Sequence, residues 1–206
     1  MDKVLCHLSG GYDSMASTLL VANTGVEFAC VFFDIGQPYY MQEISAVERM
    51  DRFLNDTYPL TFKGTVVRQV ETDLSDGGDV SAYIPVRNLV FGGMSANIAL
   101  ARGYNKVAVG NKTLEIREDD PYCFRDCSKE FYDKLSEIST FASQGKTLEF
   151  IMPLVVDGKS LTKGQVLSII KTAGIDLNDL WSCYEAGDTP CGVCYHCLEL
   201  QKAMTE

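Results

Sequence analysis

Short apolar runs alternate with amphipathic stretches along most of this chain. Lys3 to Leu8, Glu27 to Asp34 and Thr65 to Glu71 are dense in apolar and β-branched side chains over strand-like lengths, and Lys106 to Val109 reads as a further short buried strand. Elsewhere the apolar residues space out at helical period, over Ser14 to Ala22, Met41 to Leu54, Asn88 to Arg102 and Ser128 to Ala142. A last helix is expected from Ser160 to Thr172, opened by Ser160 as its cap and closed before Gly174. Strands alternating with helices predict an α/β fold, a parallel sheet with helices on both faces and ligands beyond the C-terminal strand ends. With 206 residues there is room for one well-buried core and a small appendage, so residues 1–206 are expected to form a single domain. Two polar loops, Asp73 to Tyr83 and Gly110 to Asp126, are long enough to suggest function.

The first chemistry lies where the first strand ends, in Leu8-Ser9-Gly10-Gly11-Tyr12-Asp13-Ser14. Adjacent glycines between a strand and a helix permit a turn whose backbone N–H groups converge, and the helix start adds unpaired donors. Such a nest suits phosphate. Asp13 is unfavourable beside phosphate unless a cation or donor intervenes, which suggests Mg²⁺; the plainer reading is a tight turn with Asp13 as helix cap.

Charge and cysteine usage narrow the partners. Eighteen Lys and Arg against 28 Asp and Glu give a formal charge of -10, which opposes binding to a long nucleic acid. The opening MDKVLCHL has too short an apolar run for a signal peptide, and no run of about 18 apolar residues occurs, so a cytoplasmic protein without membrane contact is expected. Of the eight cysteines, Cys183, Cys191, Cys194 and Cys197 form a C-x7-C-x2-C-x2-C array within residues 181–200. Four thiolates at knuckle spacing suit structural Zn²⁺, with no coordination position left for substrate. His196, between two of these ligands, is expected to face solvent. His7, Cys6 and Cys30 are expected in the core, and Tyr12 is expected to shield the loop.

Ser9-Gly10-Gly11-Tyr12-Asp13-Ser14 resembles the S-G-G-x-D-S signature of the PP-loop ATP pyrophosphatases. The resemblance implies their adenine nucleotide alpha hydrolase-like, Rossmann-like fold, with ATP held by Leu8 to Ser14 and with Phe32, Phe33 and Asp34 beside the nucleotide. Together with the cysteine array and Phe33-Asp34-Ile35-Gly36-Gln37, the loop resembles the QueC-type 7-cyano-7-deazaguanine synthase family. Further matches are Pro85, Arg87 and Asn88 to the family's V-P-G-R-N, Gly110 and Asn111 to its G-V-N, and Asp126, Cys127, Glu130 and Phe131 to its D-C-R-P-E-F. Pro153, Leu154, Leu161, Thr162 and Lys163 match its P-L-x-x-L-T-K, and Trp181-Ser182-Cys183-Tyr184 its W-S-C-Y.

The resemblance implies ATP-dependent conversion of 7-carboxy-7-deazaguanine and ammonia to the nitrile through adenylated intermediates. Asp13, Lys163 and Arg87 would serve the chemistry, while Arg87, Asn88, Gly110, Asn111, Asp126 and Cys127 would hold substrate. ATP, Mg²⁺ and Zn²⁺ are the implied cofactors, and a homodimer is common among relatives. The sequence departs from the pattern at Pro38-Tyr39-Tyr40, in place of Arg-His, at Val86, in place of Gly, and at Ser128-Lys129, in place of Arg-Pro. These changes lie on the expected acceptor side and leave open a related deazaguanine, or a reaction that stops at the amide. Two rival functions also stay open at this point. One is a tRNA-modifying PP-loop enzyme, which would need a basic surface; the second is a zinc-ribbon binding module without catalysis.

Overall fold

The computed structural model describes residues 1–71, 84, 86–114 and 124–205. The loop Asp73 to Tyr83, most of the loop Gly110 to Asp126, and Pro85 fall wholly or partly outside the described residues. The chain runs β1 (Lys3–His7), α1 (Tyr12–Ala22), β2 (Glu27–Asp34), α2 (Tyr40–Thr57), β3 (Phe62–Gln69), α3 (Arg87–Arg102), β4 (Lys106–Ala108), α4 (Lys129–Ala142), β5 (Glu149–Ile151), a hairpin of β6 (Val155–Val156) and β7 (Lys159–Ser160), α5 (Lys163–Thr172) and α6 (Tyr195–Thr205). Short 3₁₀ turns cover Arg125–Cys127 and Leu177–Asp179.

Five strands form one sheet in the order β3-β2-β1-β4-β5, and all four pairings are parallel. Side chains alternate across it. Val4, Cys6 and Leu8 from the first strand region join Phe28, Cys30 and Phe32 of β2 under α1, α2 and α5. Leu5, Ala29, Val31 and Phe33 face the opposite way, against Ala96 and Ala99 of α3 and Tyr132 and Leu135 of α4. Both faces of the sheet are therefore dry, which is why β2 reads as an unbroken apolar run. Cys6 and Cys30 lie in the core as expected.

Order 3-2-1-4-5 places a switch point between β1 and β4: the chain leaves β1 toward β2 and β3, then returns to the other side. Connections at such a point diverge and leave a crevice at the strand C-terminal ends. Gly110, just beyond β4, closes on the start of α1 so tightly that a Cβ there would lie 2.9 Å from the Ser14 backbone nitrogen.

Some boundaries differ from the sequence reading. The cap of α5 is Thr162, not Ser160: Thr162 Oγ1 accepts from the Gln165 N–H and Gln165 Oε1 from the Thr162 N–H, a complete capping box. Ser160 instead ends the small hairpin and donates its hydroxyl hydrogen to the Lys112 carbonyl. Helix α2 extends beyond both expected ends, and β5 and α6 add to the expected elements.

Candidate active site

The loop after β1 has the conformation its glycines predict. Gly10 adopts φ 80°, in the left-handed region, and a Cβ there would sit 2.9 Å from the Glu43 carbonyl, so α2 packs directly onto the loop. Ser14 Oγ donates to the Gly11 carbonyl at 2.9 Å and accepts from the Ser9 N–H at 3.1 Å, while Ser9 Oγ lies 3.0 Å from it. Gly11, the N-cap of α1, has no side chain to cap the helix, and the Tyr12 N–H meets Ser182 Oγ at 3.5 Å. The other first-turn N–H groups are left for a ligand, where the helix dipole favours an anion.

Asp13 is consequently not the helix cap. Its Oδ2 lies 2.6 Å from Lys163 Nζ at the start of α5, and its Oδ1 lies 3.6 Å from Lys112 Nζ. Lys163 is only 8% exposed and also contacts Glu199 at 3.3 Å. Burial raises the proton affinity of Asp13, but the Lys163 and Lys112 ammonium groups outweigh it and hold the carboxyl below its usual range. For Lys163, burial works against the charge, and Asp13 and Glu199 more than restore it. Asp13 Oδ1 is buried and accepts no hydrogen bond among the described residues, so it retains lone pairs suited to a divalent cation.

A cleft of about 300 Å³ opens from this loop across the sheet ends. Leu8, Ser9, Gly11, Tyr12, Asp13 and Ser14 form its floor at one end, and Phe32 and Phe33 of β2 line it. Arg87 and Asn88 at the start of α3 and Asn111 also line it, while Gly110, another lining residue, sits against the start of α1. Asp34, Asp126 and Cys127 stand apart from the lining. Asp34 Oδ1 accepts from the Gly36 N–H at 2.9 Å and shapes the turn after β2. Asn88 Nδ2 donates to the Asp126 carbonyl at 3.0 Å and to Cys127 Sγ at 3.3 Å, so these two residues brace Asn88 from behind. Burial pushes the Cys127 thiol up to about 11, which leaves it protonated near neutrality and a poor nucleophile.

Several lining residues carry no obvious sequence signal of their role. Tyr39 and Tyr184 bring their rings to 5.6 Å, and Tyr184 Oη lies 2.6 Å from His196 Nε2. His196 therefore faces the cleft and not the solvent; burial and the Lys163 charge lower its proton affinity. His7 also reaches the cleft, with Nε2 2.6 Å from Ser95 Oγ, and burial pushes it down to about 4. Tyr12 is buried, and its hydroxyl donates to the Leu177 carbonyl at 3.2 Å. Glu43, on α2, lines the cleft and is pushed up to about 7 by burial. A signal for Glu43 did exist: it lies four, seven and eleven residues before Val47, Met50 and Leu54, on the buried stripe of α2. A charge on an apolar face asks for a reason.

The four cysteines meet beside this cleft. Their sulfurs lie within 4.8 Å of one another, with Cys183 to Cys194 and Cys191 to Cys197 at 4.0 Å. Thiolates around a tetrahedral zinc, at ~2.3 Å from the metal, stand roughly 3.8 Å apart, so this donor set fits the ion. Backbone N–H groups of Glu185 and Cys191 point at Cys183 Sγ, and that of Cys194 at Cys191 Sγ, as metal knuckles require. The segment backs the loop: the Trp181 N–H donates to the Gly10 carbonyl at 2.9 Å, and a Cβ on Gly11 would lie 3.1 Å from Ser182 Oγ. The Trp181 indole Nε1 is buried without a partner among the described residues, a spare donor in a residue that lines the cleft.

Among the described residues, no helix is long and apolar enough to cross a membrane. Solved structures similar in fold include a 4-thiouridine synthetase in complex with RNA and ATP, at TM-score 0.57 and 17% identity over 99% of this chain and 50% of that one. Another is the U34-tRNA thiolase NcsA of Methanococcus maripaludis, at TM-score 0.50 and 13% identity over 99% of this chain and 64% of that one. This chain spans half to two thirds of the length of those enzymes, and the likeness establishes the PP-loop type of fold. Among curated proteins, the 7-cyano-7-deazaguanine synthase of Sulfurovum sp. (strain NBC37-1) is 29% identical over 208 residues, covering 95% of this chain and 90% of that one. That of Gloeothece citriformis is 27% identical over 223 residues, covering 99% and 91%. The family described as queuosine biosynthesis protein QueC matches residues 3–206, and the chain belongs to it.

Proposed function

We propose that the protein is an ATP-dependent carbon–nitrogen ligase that converts 7-carboxy-7-deazaguanine and ammonia to 7-cyano-7-deazaguanine. One observation supports this above the rest: an uncapped helix start with the Asp13–Lys163 pair opens onto the same cleft as Arg87 and two tyrosine rings. A triphosphate at one end and a flat acid at the other would meet there.

A carboxylate is a poor electrophile because oxide is a hopeless leaving group. Attack of the substrate carboxylate on the α-phosphorus of ATP forms an acyl adenylate and expels pyrophosphate. Ammonia then adds to the acyl carbon and AMP leaves, giving the amide. The amide oxygen attacks the α-phosphorus of a second ATP, expelling pyrophosphate as one N–H proton leaves; loss of AMP together with the second N–H proton gives the nitrile. The N–H groups at the start of α1 hold the phosphates, and Lys163 balances charge as it gathers on pyrophosphate. Mg²⁺, held through Asp13 Oδ1, would supply further charge neutralisation. Arg87 and Asn88 position the acceptor, with Gly110 and Asn111 shaping the wall between the two substrates. Zn²⁺ on Cys183, Cys191, Cys194 and Cys197 is structural, since four thiolates complete its coordination. The whole is one domain, residues 1–206, with 181–200 as the zinc-holding segment. The net charge of -10 favours a small acid over a nucleic acid.

Product mass spectrometry with the deazaguanine acid, ammonia and Mg-ATP tests the proposal. Nitrile is expected, with release of AMP and pyrophosphate; amide alone would place the end of the reaction one step earlier, and no product would refute the assignment. Asp13→Ala should remain folded and lose at least about a hundredfold in AMP release, because Lys163 is then drawn to Glu199 alone.

A further inference from the structure

The cleft must accommodate two flat heterocycles, an adenine and a deazaguanine, and keep each in its own place. Asp13 and Glu43 are the carboxylates among its described lining residues, and Asp13 is committed to Lys163. Glu43 has no cation within ion-pair distance among the described residues. Its Oε2 accepts from Gln37 Nε2 at 2.6 Å, and the orientation of that amide is fixed because Gln37 Oε1 accepts from the Ile35 N–H at 2.9 Å. Gln37 thus clamps one carboxylate oxygen from the side, while Oε1 accepts no hydrogen bond among the described residues. Tyr39, on the turn that leads into α2, and Tyr184 supply flat walls close by.

We propose that Glu43 reads the 2-amino-4-oxopyrimidine edge of the substrate, its carboxylate accepting from the ring N–H between the oxo and amino carbons and from the exocyclic 2-amino group. This rests on the proposed reaction. That edge presents two parallel donors, which match the two oxygens of one carboxylate. A ring without the 2-amino group leaves an oxygen unpaired in a secluded site. Adenine presents an acceptor beside its amino donor, so the same carboxylate repels the base of ATP from the acceptor end. Glu43 is then a specificity-determining residue that sorts two similar rings within one cleft.

The test compares binding of 7-deazaguanine and 7-deazahypoxanthine, the same ring without the amino group, by calorimetry on metal-replete protein with AMP present. The wild type is expected to prefer the former by about tenfold or more. Glu43→Gln, which keeps size and the Gln37 contact, should shrink that preference below about threefold with Mg-ATP affinity unchanged. A variant that retains the preference overturns the proposal, as does one that weakens Mg-ATP instead, which would assign Glu43 to adenine. A wild type that does not distinguish the rings overturns it without recourse to any variant. The two readings fail separately: ring discrimination without nitrile or amide formation refutes the reaction and supports Glu43 as reader, whereas nitrile formation without discrimination refutes only Glu43.

Discussion

Val86 shows what a single departure from the family pattern does to the backbone. It adopts φ 53°, the left-handed region, immediately before α3, where the resembling motif carries glycine. A β-branched residue pays roughly 1–2 kcal/mol there, and with 57% of its surface exposed it recovers little by burial. Val86→Gly is therefore expected to stabilise the protein by about 0.5–1 kcal/mol after the entropy cost of glycine, read as a higher urea midpoint. Glu43 makes the opposite kind of residue-scale demand. Its neighbours with charge or titratable groups are Arg87, Tyr39 and Tyr184, and burial dominates them, lifting its proton affinity from the ordinary 4.5 to about 7. Below pH 4.5 the group is protonated folded and unfolded alike; between 4.5 and 7 only the unfolded chain releases its proton, so stability falls as pH rises, by up to ~3 kcal/mol. Glu43→Gln removes that dependence. Its gain over the wild type should grow from small at pH 4.5 to full at pH 8 in parallel melts, and a gain constant with pH would contradict the burial argument.

Elements are legible where their periodicity is long and obscure where their signal is borrowed from elsewhere. Strands β1, β2 and β4 and helices α1 to α4 follow from the apolar pattern because both sheet faces are covered, α1 is buried nearly all round and α2 to α4 each turn one face inward. Strand β5, three residues long, offers too few positions for any period, and its pairing with β4 is fixed by tertiary contact. Helix α6 is hidden by its own cysteines: Cys194 and Cys197 read as metal ligands, and the helix that carries Cys197 contributes little apolar surface besides. The cap of α5 lies two residues beyond the expected one because Ser160 and Thr162 are both plausible caps, and only Gln165 three residues after Thr162 completes a box. That box has a role beyond the helix, since the next residue is Lys163. Thr162→Ala should cost about 1 kcal/mol in stability and, by loosening the first turn, raise the KM for ATP; unchanged ATP kinetics in a destabilised variant would show that Lys163 is held by its carboxylates alone.

Across the whole molecule, the glycine loop, the Arg87–Asn88 wall and the cysteine cluster come from distant parts of the chain. The loop and cysteine ligands are readable because glycine turns and thiol spacing carry their chemistry locally. The pairing of Tyr39 with Tyr184 and the inward turn of His196 are not, because they depend on contacts that spacing does not show, whereas Glu43 leaves its trace as a charge on the buried stripe of α2. Tyr184, His196 and Glu199 form a chain of contacts from the cleft wall to Lys163, and Trp181 and Cys197 pack with Ala46 of α2. Metal loss should therefore reach the loop. Elemental analysis is expected to find one zinc per chain, and strong chelation to lower the calorimetric midpoint by roughly 6–12 °C for a ~3 kcal/mol contribution. Mg-ATP affinity should fall alongside; retention of full affinity by zinc-free protein would separate the two sites.

The hydrogen bond from Trp181 to Gly10 has a temporal meaning as well. The glycine turn and its backing stand 171 residues apart, so the turn is completed only when the cysteine-bearing segment folds back onto it. Without Trp181 the Gly10 carbonyl would lack this donor, so order at the turn is coupled to the folding of a segment far along the chain.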